Sequence, residues 1–270
     1  MAALDVAGYP HTALVWGRSA PDRRTGPGAR VTCGAAVRCA QVAVDLDCPG
    51  PRRCPIVEVQ SLPQTATVRI PAAPWWRCYD GTWGYDEFNP GHGDTRFSPF
   101  PDATGRPVPT TYVAATARAA VLETTFHSVD HNTERVVYES ELRAMQVCRA
   151  QMPTEATAVD LRDGALARMG LARDRIVSSA SEHYPCTRRI ARELHARHHN
   201  AQGIIWFSRQ AELVGEGQIE VLLLFGDRYP SNRGLWPRLG LGSVSLLSHE
   251  GRLLVDQLAT ELDATVIPDE

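Results

Sequence analysis

The chain contains no lysine: all 28 residues of the Lys/Arg class are arginine. Chemistry that needs a side-chain amine therefore has nothing to run on, which excludes a Schiff-base nucleophile, a pyridoxal phosphate anchor, a P-loop lysine and a lysine general base. Any anion must be held by arginine, backbone amides or a metal, and arginine brings a permanently charged planar fork. GC-biased coding, which exchanges lysine codons for arginine and alanine codons, is the ordinary explanation expected for such an absence. Long apolar runs are lacking too. No stretch of 18 apolar residues occurs, and the start MAALDVAGYPHTALVWG has neither a basic leader nor an apolar core. No transmembrane span or signal peptide is expected, and a cytoplasmic protein is. The sequence also has no GxSxG, no HExxH, no Walker A and no GxGxxG opening a helix after a strand. Common hydrolase, metalloprotease, P-loop and dehydrogenase readings fall away with them.

What is present is the composition of a globular protein: 270 residues, 43% hydrophobic and 22% charged. The net charge of −3 argues against a protein that coats nucleic acid or membrane. Residues 1–70 are nonetheless net +3 and the remainder net −6. Residues 1–65 are rich in Pro, Gly and Arg, with SAPDRRTGPG and CPGPRRCP reading as loops, so they form an N-terminal extension to a domain at 66–270. Seven cysteines, an odd number, are expected as thiols rather than a disulfide framework. Cys33, Cys39, Cys48 and Cys54 have the symmetric spacing C-x5-C-x8-C-x5-C, which hints at zinc but lacks the C-x2-C knuckle, and no metal is expected.

Alternation and apolar runs predict strands in TATVRI, at TTYVAA (110–115), RVVYES (135–140), ATAVDL (156–161), GIIWFS (203–208), IEVLLLF (219–225) and SVSLLS (243–248). Helices are expected in TARAAVLETTFH behind a Thr116 cap, in GALARMGL, at 186–199 and at 253–262. The Gly/Pro-dense segment 89–109 is a long loop of the functional kind. Without a clean βαβ alternation the fold class is α+β.

Polar residues stand at the ends of these apolar elements: Arg77 after Trp75 and Trp76, Arg96 in GDTRFSPF, Tyr112 in a short strand, Glu123 eleven positions later, and Ser208 closing GIIWFSR. Singly, each has an ordinary explanation: an arginine stacked on tryptophan, a solvated helix glutamate, a strand-end serine. Together, in the stretches WWRCYD, TRFSPFPDATGRPVPTTYVAATARAAVLETTFH, DLRDGALARMGL and HYPCTRRIARELHARHHNAQGIIWFSR, they resemble the RES domain family over roughly residues 75–225. The order of several matches is far more specific than any one of them.

The resemblance implies an ADP-ribosyltransferase-like mixed β-sheet core flanked by helices, and a protein that consumes NAD. It implies phosphate-facing arginines at Arg77 and Arg96, an aromatic substrate partner at Tyr112, the acidic residue at Glu123, and a catalytic and NAD-binding serine at Ser208. It also implies a toxin paired with an Xre-type helix-turn-helix antitoxin. Where many relatives have Trp-Asn after the second arginine, this chain has Phe97-Ser98.

The chemistry agrees. A pyrophosphate suits arginine forks, and a cationic nicotinamide suits an aromatic face. Cleaving the nicotinamide–ribose bond develops oxocarbenium character that one carboxylate can stabilise, and nicotinamide leaves neutral without a general acid. The acceptor stays open between water, phosphate and a macromolecule, the last making the protein an ADP-ribosyltransferase. A non-catalytic NAD sensor is the other reading. Helix 186–199 carries four arginines and three histidines; a solvated helix face explains it better than nucleic-acid binding, and a metal site at Cys186, His195, His198 and His199 is weaker still. His183 lies just before that helix, within reach of the pocket. Homodimer formation stays open.

Overall fold

The structure is a computed structural model that describes residues 65–131 and 133–269. The N-terminal extension and the Cys33/Cys39/Cys48/Cys54 cluster lie outside these residues. In chain order the elements are β1 (Thr67–Ile70), β2 (Pro74–Asp80), β3 (Thr110–Ala114), α1 (Ala117–Leu122), β4 (Val136–Tyr138), α2 (Glu139–Leu142), β5 (Met145–Gln151), β6 (Ala156–Asp160), α3 (Asp163–Arg168), α4 (Arg173–Ile176), α5 (Tyr184–Arg197), β7 (Gly203–Phe207), α6 (Arg209–Leu213), β8 (Glu220–Phe225), β9 (Arg238–Ser245), α7 (His249–Glu261) and β10 (Thr265–Ile267).

Eight strands form one sheet in the order β1-β6-β7-β8-β3-β2-β5-β9, and β10 pairs with β4 in a second, two-stranded one. Within the large sheet β6 and β7 run parallel and the other neighbours antiparallel. This is the mixed sheet with flanking helices of an α+β protein. Central β8, EVLLLF, is buried on both faces, as its unbroken apolar run demands.

Side chains alternate across a strand, and directly paired residues share a face. The registers Trp76↔Ala114, Ala114↔Val221 and Trp206↔Val221 place Trp76, Tyr112, Ala114 and Trp206 on one face. That face carries the larger core, which gathers Ile190 and Leu194 of α5, Leu254, Val255 and Leu258 of α7, and Ile204, Trp206, Leu223 and Phe225 of the sheet. On the other face Trp75, Val113, Ile205, Leu222 and Leu224 meet Phe88, Tyr229 and Trp236 from loops. A fully buried side chain of this size contributes about 1.5–3 kcal/mol, so the two clusters supply much of the driving force for folding.

Three departures from the sequence-based expectations have local causes. The helix behind Thr116 stops at Leu122 instead of running to His127. Thr116 does cap it, accepting from the Ala119 amide, but Thr124 hydrogen-bonds back to the Ala120 carbonyl at 3.2 Å. A β-branched residue bonding its own backbone in this way favours ending the helix. Strand β5, MQVCRAQ, was not foreseen because Gln146 and Arg149 interrupt its apolar pattern; Arg149 projects over the Trp76 ring at 5.3 Å. Strand β9 begins at Arg238, ahead of the apolar stretch SVSLLS. Its register with β5 shifts between Val147 and Arg149, and Gly240 and Gly242 adopt φ of 69° and 100°, which residues with a Cβ rarely take.

Candidate active site

The site forms where four segments end against one face of the sheet: the 89–109 loop, the end of α1, the start of α5 and the β7–α6 junction. The loop is folded by its own polar residues. Asn89 accepts from the amides of Gly91 and His92 at 3.0 and 2.9 Å, the Thr95 hydroxyl donates to the Ser98 carbonyl at 2.8 Å, and the Ser98 and Thr110 hydroxyls pair at 2.6 Å. The loop thereby carries Arg96 inward.

Arg96 is only 6% exposed. Its Nη1 donates to the carbonyls of Ile176 and Ser179 at 3.3 and 2.7 Å and to the Ser179 hydroxyl at 2.8 Å, and its guanidinium lies 5.1 Å from the centroid of Tyr184. Thr187, on α5, donates to the Arg96 carbonyl. One arginine thus ties the loop to the segment leading into α5.

Glu123, the C-cap of α1, is half-buried. Burial raises its carboxyl above the ordinary carboxylate range, opposed first by the charge of Arg96, then by the Ser208 hydroxyl, the charge of Arg209 and the Trp206 indole. Those opposing groups identify what surrounds the carboxyl. Ser208 is fully buried, and its oxygen caps α6 by accepting from the Ala211 amide at 3.1 Å. The Trp206 indole N–H is buried near this carboxyl and meets no hydrogen-bond acceptor in full geometry among the described residues. Arg209 pairs with Asp130. Tyr112 shares a hydrogen bond with Thr95 Oγ1 at 2.9 Å, accepts from the Phe97 amide at 3.2 Å and stands edge-on to Trp206 at 5.8 Å. Burial raises its phenol, keeping it neutral. Tyr184, pushed up to about 12 by burial, stacks on His127 at 5.9 Å.

Four of the five site residues expected from the sequence are therefore brought together: Arg96, Tyr112, Glu123 and Ser208. Arg77 is not. It pairs with Cys148, one residue out of phase with Trp76, so it lies on the opposite face of the sheet from Tyr112 and Trp206. There its guanidinium donates to the backbone carbonyls of Tyr85 and Glu87 and lies near Asp86 and Tyr79. Alternation along β2 thus sets Arg77 apart from Arg96, with its fork on backbone carbonyls.

Sequence reasoning missed Trp206, Arg209, Tyr184 and His127. The signal was present, since Trp206 is two residues before Ser208 on the same face, Arg209 follows it, and His127 is four residues after Glu123. His183 is buried just ahead of α5. The basic helix α5 buries Cys186, Ile190, Leu194 and His195, and His195 packs on Phe100 and Phe225 while its Nε2 meets Asp227 at 2.9 Å. Cys186 and His195 therefore belong to the core rather than to a metal site with His198 and His199. Among the described residues no group of three or more His, Cys, Asp or Glu is placed to hold a metal, and no helix is long and apolar enough to cross a membrane.

A family model described as RES domain matches residues 68–233, more than half of the chain. The match spans every residue of the site and ends before β9, although β9 and α7 complete the same sheet and core. No curated protein and no solved structure matches.

Proposed function

The chain belongs to the RES domain family, and from that premise we propose that it is an enzyme that cleaves the nicotinamide–ribose bond of NAD. One observation carries the reading: a half-buried carboxyl, Glu123, faces two arginines, Arg96 and Arg209, in a site walled by Tyr112, Tyr184 and Trp206. A dianionic pyrophosphate joined to a cationic aromatic ring is the ligand such a site suits. Among the described residues the hydrogen bonds of Arg96 to Ile176 and Ser179 all use Nη1, and in this reading Nη2 and Nε serve a phosphate oxygen.

As the C–N bond stretches, positive charge gathers on the ribose ring, and the Glu123 anion stabilises it inside a site of low polarity. The leaving nicotinamide takes the bonding electron pair and departs neutral. Arg96 and Arg209 favour the ionised carboxyl that this step requires, and the Ser208 hydroxyl supports it. Ser208 is thus a positioning residue in this scheme. Unregulated loss of NAD would arrest a cell, so we extend the reading to a growth-inhibiting toxin held in check by an Xre-type helix-turn-helix partner.

Purified protein incubated with NAD, with phosphate and cell extract as added acceptors, should release nicotinamide. NAD left intact in all three conditions would contradict the proposal, and label transferred to protein or nucleic acid would redirect it to ADP-ribosyl transfer. Induced expression should collapse the cellular NAD pool and stop growth, while Glu123→Gln should do neither.

A further inference from the structure

Resting on the NAD reading above, we propose that His127 accepts the proton of the incoming nucleophile, which makes the acceptor a hydroxyl group, water being the simplest, rather than an anion. The argument begins with a hydrogen bond. His127 Nδ1 lies 2.7 Å from the Thr124 carbonyl oxygen. A carbonyl only accepts, so Nδ1 carries the hydrogen and the neutral ring keeps its lone pair on Nε2. The tautomer is thereby fixed as the one that can take up a proton at Nε2.

The ring is also held in place. It stacks on Tyr184 with 24° between the planes, and Tyr184 in turn lies beneath Arg96. The backbone of His127 is fixed by Gln210, whose amide donates to the His127 carbonyl at 2.7 Å and to Asp130 at 2.9 Å. Because α1 stops at Leu122, Glu123 and His127 both lie past its end, and the half-buried imidazole and the carboxyl share one neighbour, the guanidinium of Arg96. The charged groups facing the ring are Arg96 and Asp94 from the 89–109 loop and Asp130 from the turn that follows. Burial and the charge of Arg96 lower its basicity against the opposing pull of the two aspartates, which keeps the imidazole neutral and able to act at neutral pH.

In the step proposed, the nucleophile's oxygen bonds to the anomeric carbon while its proton passes to Nε2. The carbon–nitrogen bond breaks with its electron pair going to nicotinamide. The imidazolium then returns its proton to solvent, so the net reaction turns NAD and water into nicotinamide, ADP-ribose and one proton. Nothing else is consumed.

An anionic nucleophile needs no proton acceptor, which provides the test. His127→Gln removes the base, and His127→Phe removes it while keeping a ring to stack on Tyr184. Nicotinamide release by each variant is measured in water alone, with sodium azide and with phosphate, alongside the unfolding temperature. Hydrolysis should fall about 10²-fold or more in both variants, and azide should restore release and yield the glycosyl azide. Hydrolysis at the wild-type rate in a folded variant would overturn the proposal. So would an equal loss with all three nucleophiles, which would make His127 only a support for Tyr184. A wild-type protein that releases no nicotinamide with any acceptor would instead sink the NAD reading beneath it, an outcome that the variants alone cannot mimic.

Discussion

Two arginines, nineteen positions apart in the sequence, sit on opposite sides of the molecule's chemistry. Arg96 leaves an irregular loop and stands among Tyr184, Glu123 and His127 on the face of the sheet that carries α5 and α7. Arg77 leaves a regular strand on the opposite face, and both ends of its fork are taken by backbone carbonyls. Both are withdrawn from water, yet burial has different consequences. Around Arg96 it gathers ionisable groups whose proton affinities are shifted toward one another, an arrangement typical of functional sites. Around Arg77 it satisfies the polar backbone of the turn at 81–88, which is a folding task. The two side chains are chemically identical, and a strand's alternation of two separates them.

The comparison can be broken or sharpened by substitution. The largest effect is expected from Glu123→Gln, which should lower nicotinamide release on the order of 10³-fold. Its stability should not fall. Burial raises the carboxyl's folded-state pKa, so the folded protein holds that proton more tightly, and the ionised form lowers stability as the pH rises through the raised value. A neutral amide at position 123 removes that cost, and at pH 7 the variant should melt no lower than the wild type. Next comes Arg96→Gln, expected to lose on the order of 10²-fold in kcat/KM and to melt lower, because the bonds to Ile176 and Ser179 go with it.

A smaller effect is expected from pH. The proposed mechanism needs Glu123 ionised, with its titration raised above the ordinary 4.5, and His127 neutral, with its titration lowered below the ordinary 6.5. The acid side of the rate profile should therefore carry two limbs, one for Glu123 displaced upward and one for His127 displaced downward from their ordinary positions, and the His127→Phe variant should keep only the limb that belongs to Glu123. The smallest effect on turnover is expected from Arg77→Gln. It should cost about 1–3 kcal/mol of stability by orphaning buried carbonyls, measured as a lower denaturation midpoint, with the rate per folded molecule unchanged.

The legibility of the molecule in its sequence follows the range of the interactions involved. Thr116 announces its helix because a cap is a contact between residues three apart. The strand in EVLLLF is readable because burial on both faces leaves an unbroken apolar run. Arg96, Tyr112, Glu123 and Ser208 could be singled out by their order, but not joined, since joining them requires the registers of β3, β8 and β7. The same registers decide the side of the sheet on which Arg77 falls, and neither WWRCYD nor its neighbours encode that pairing locally. Tyr184 escaped notice because its role depends on Arg96, 88 positions earlier, and His127 because the helix expected to run through it ends at Leu122.

The central claim is that catalysis belongs to the Arg96–Glu123 face alone. It is tested most directly by measuring nicotinamide release from NAD by Arg77→Gln and Glu123→Gln side by side, each normalised to folded protein. The account predicts a near wild-type rate for Arg77→Gln and a rate near background for Glu123→Gln. A collapse of both to background, with both proteins folded, would contradict it.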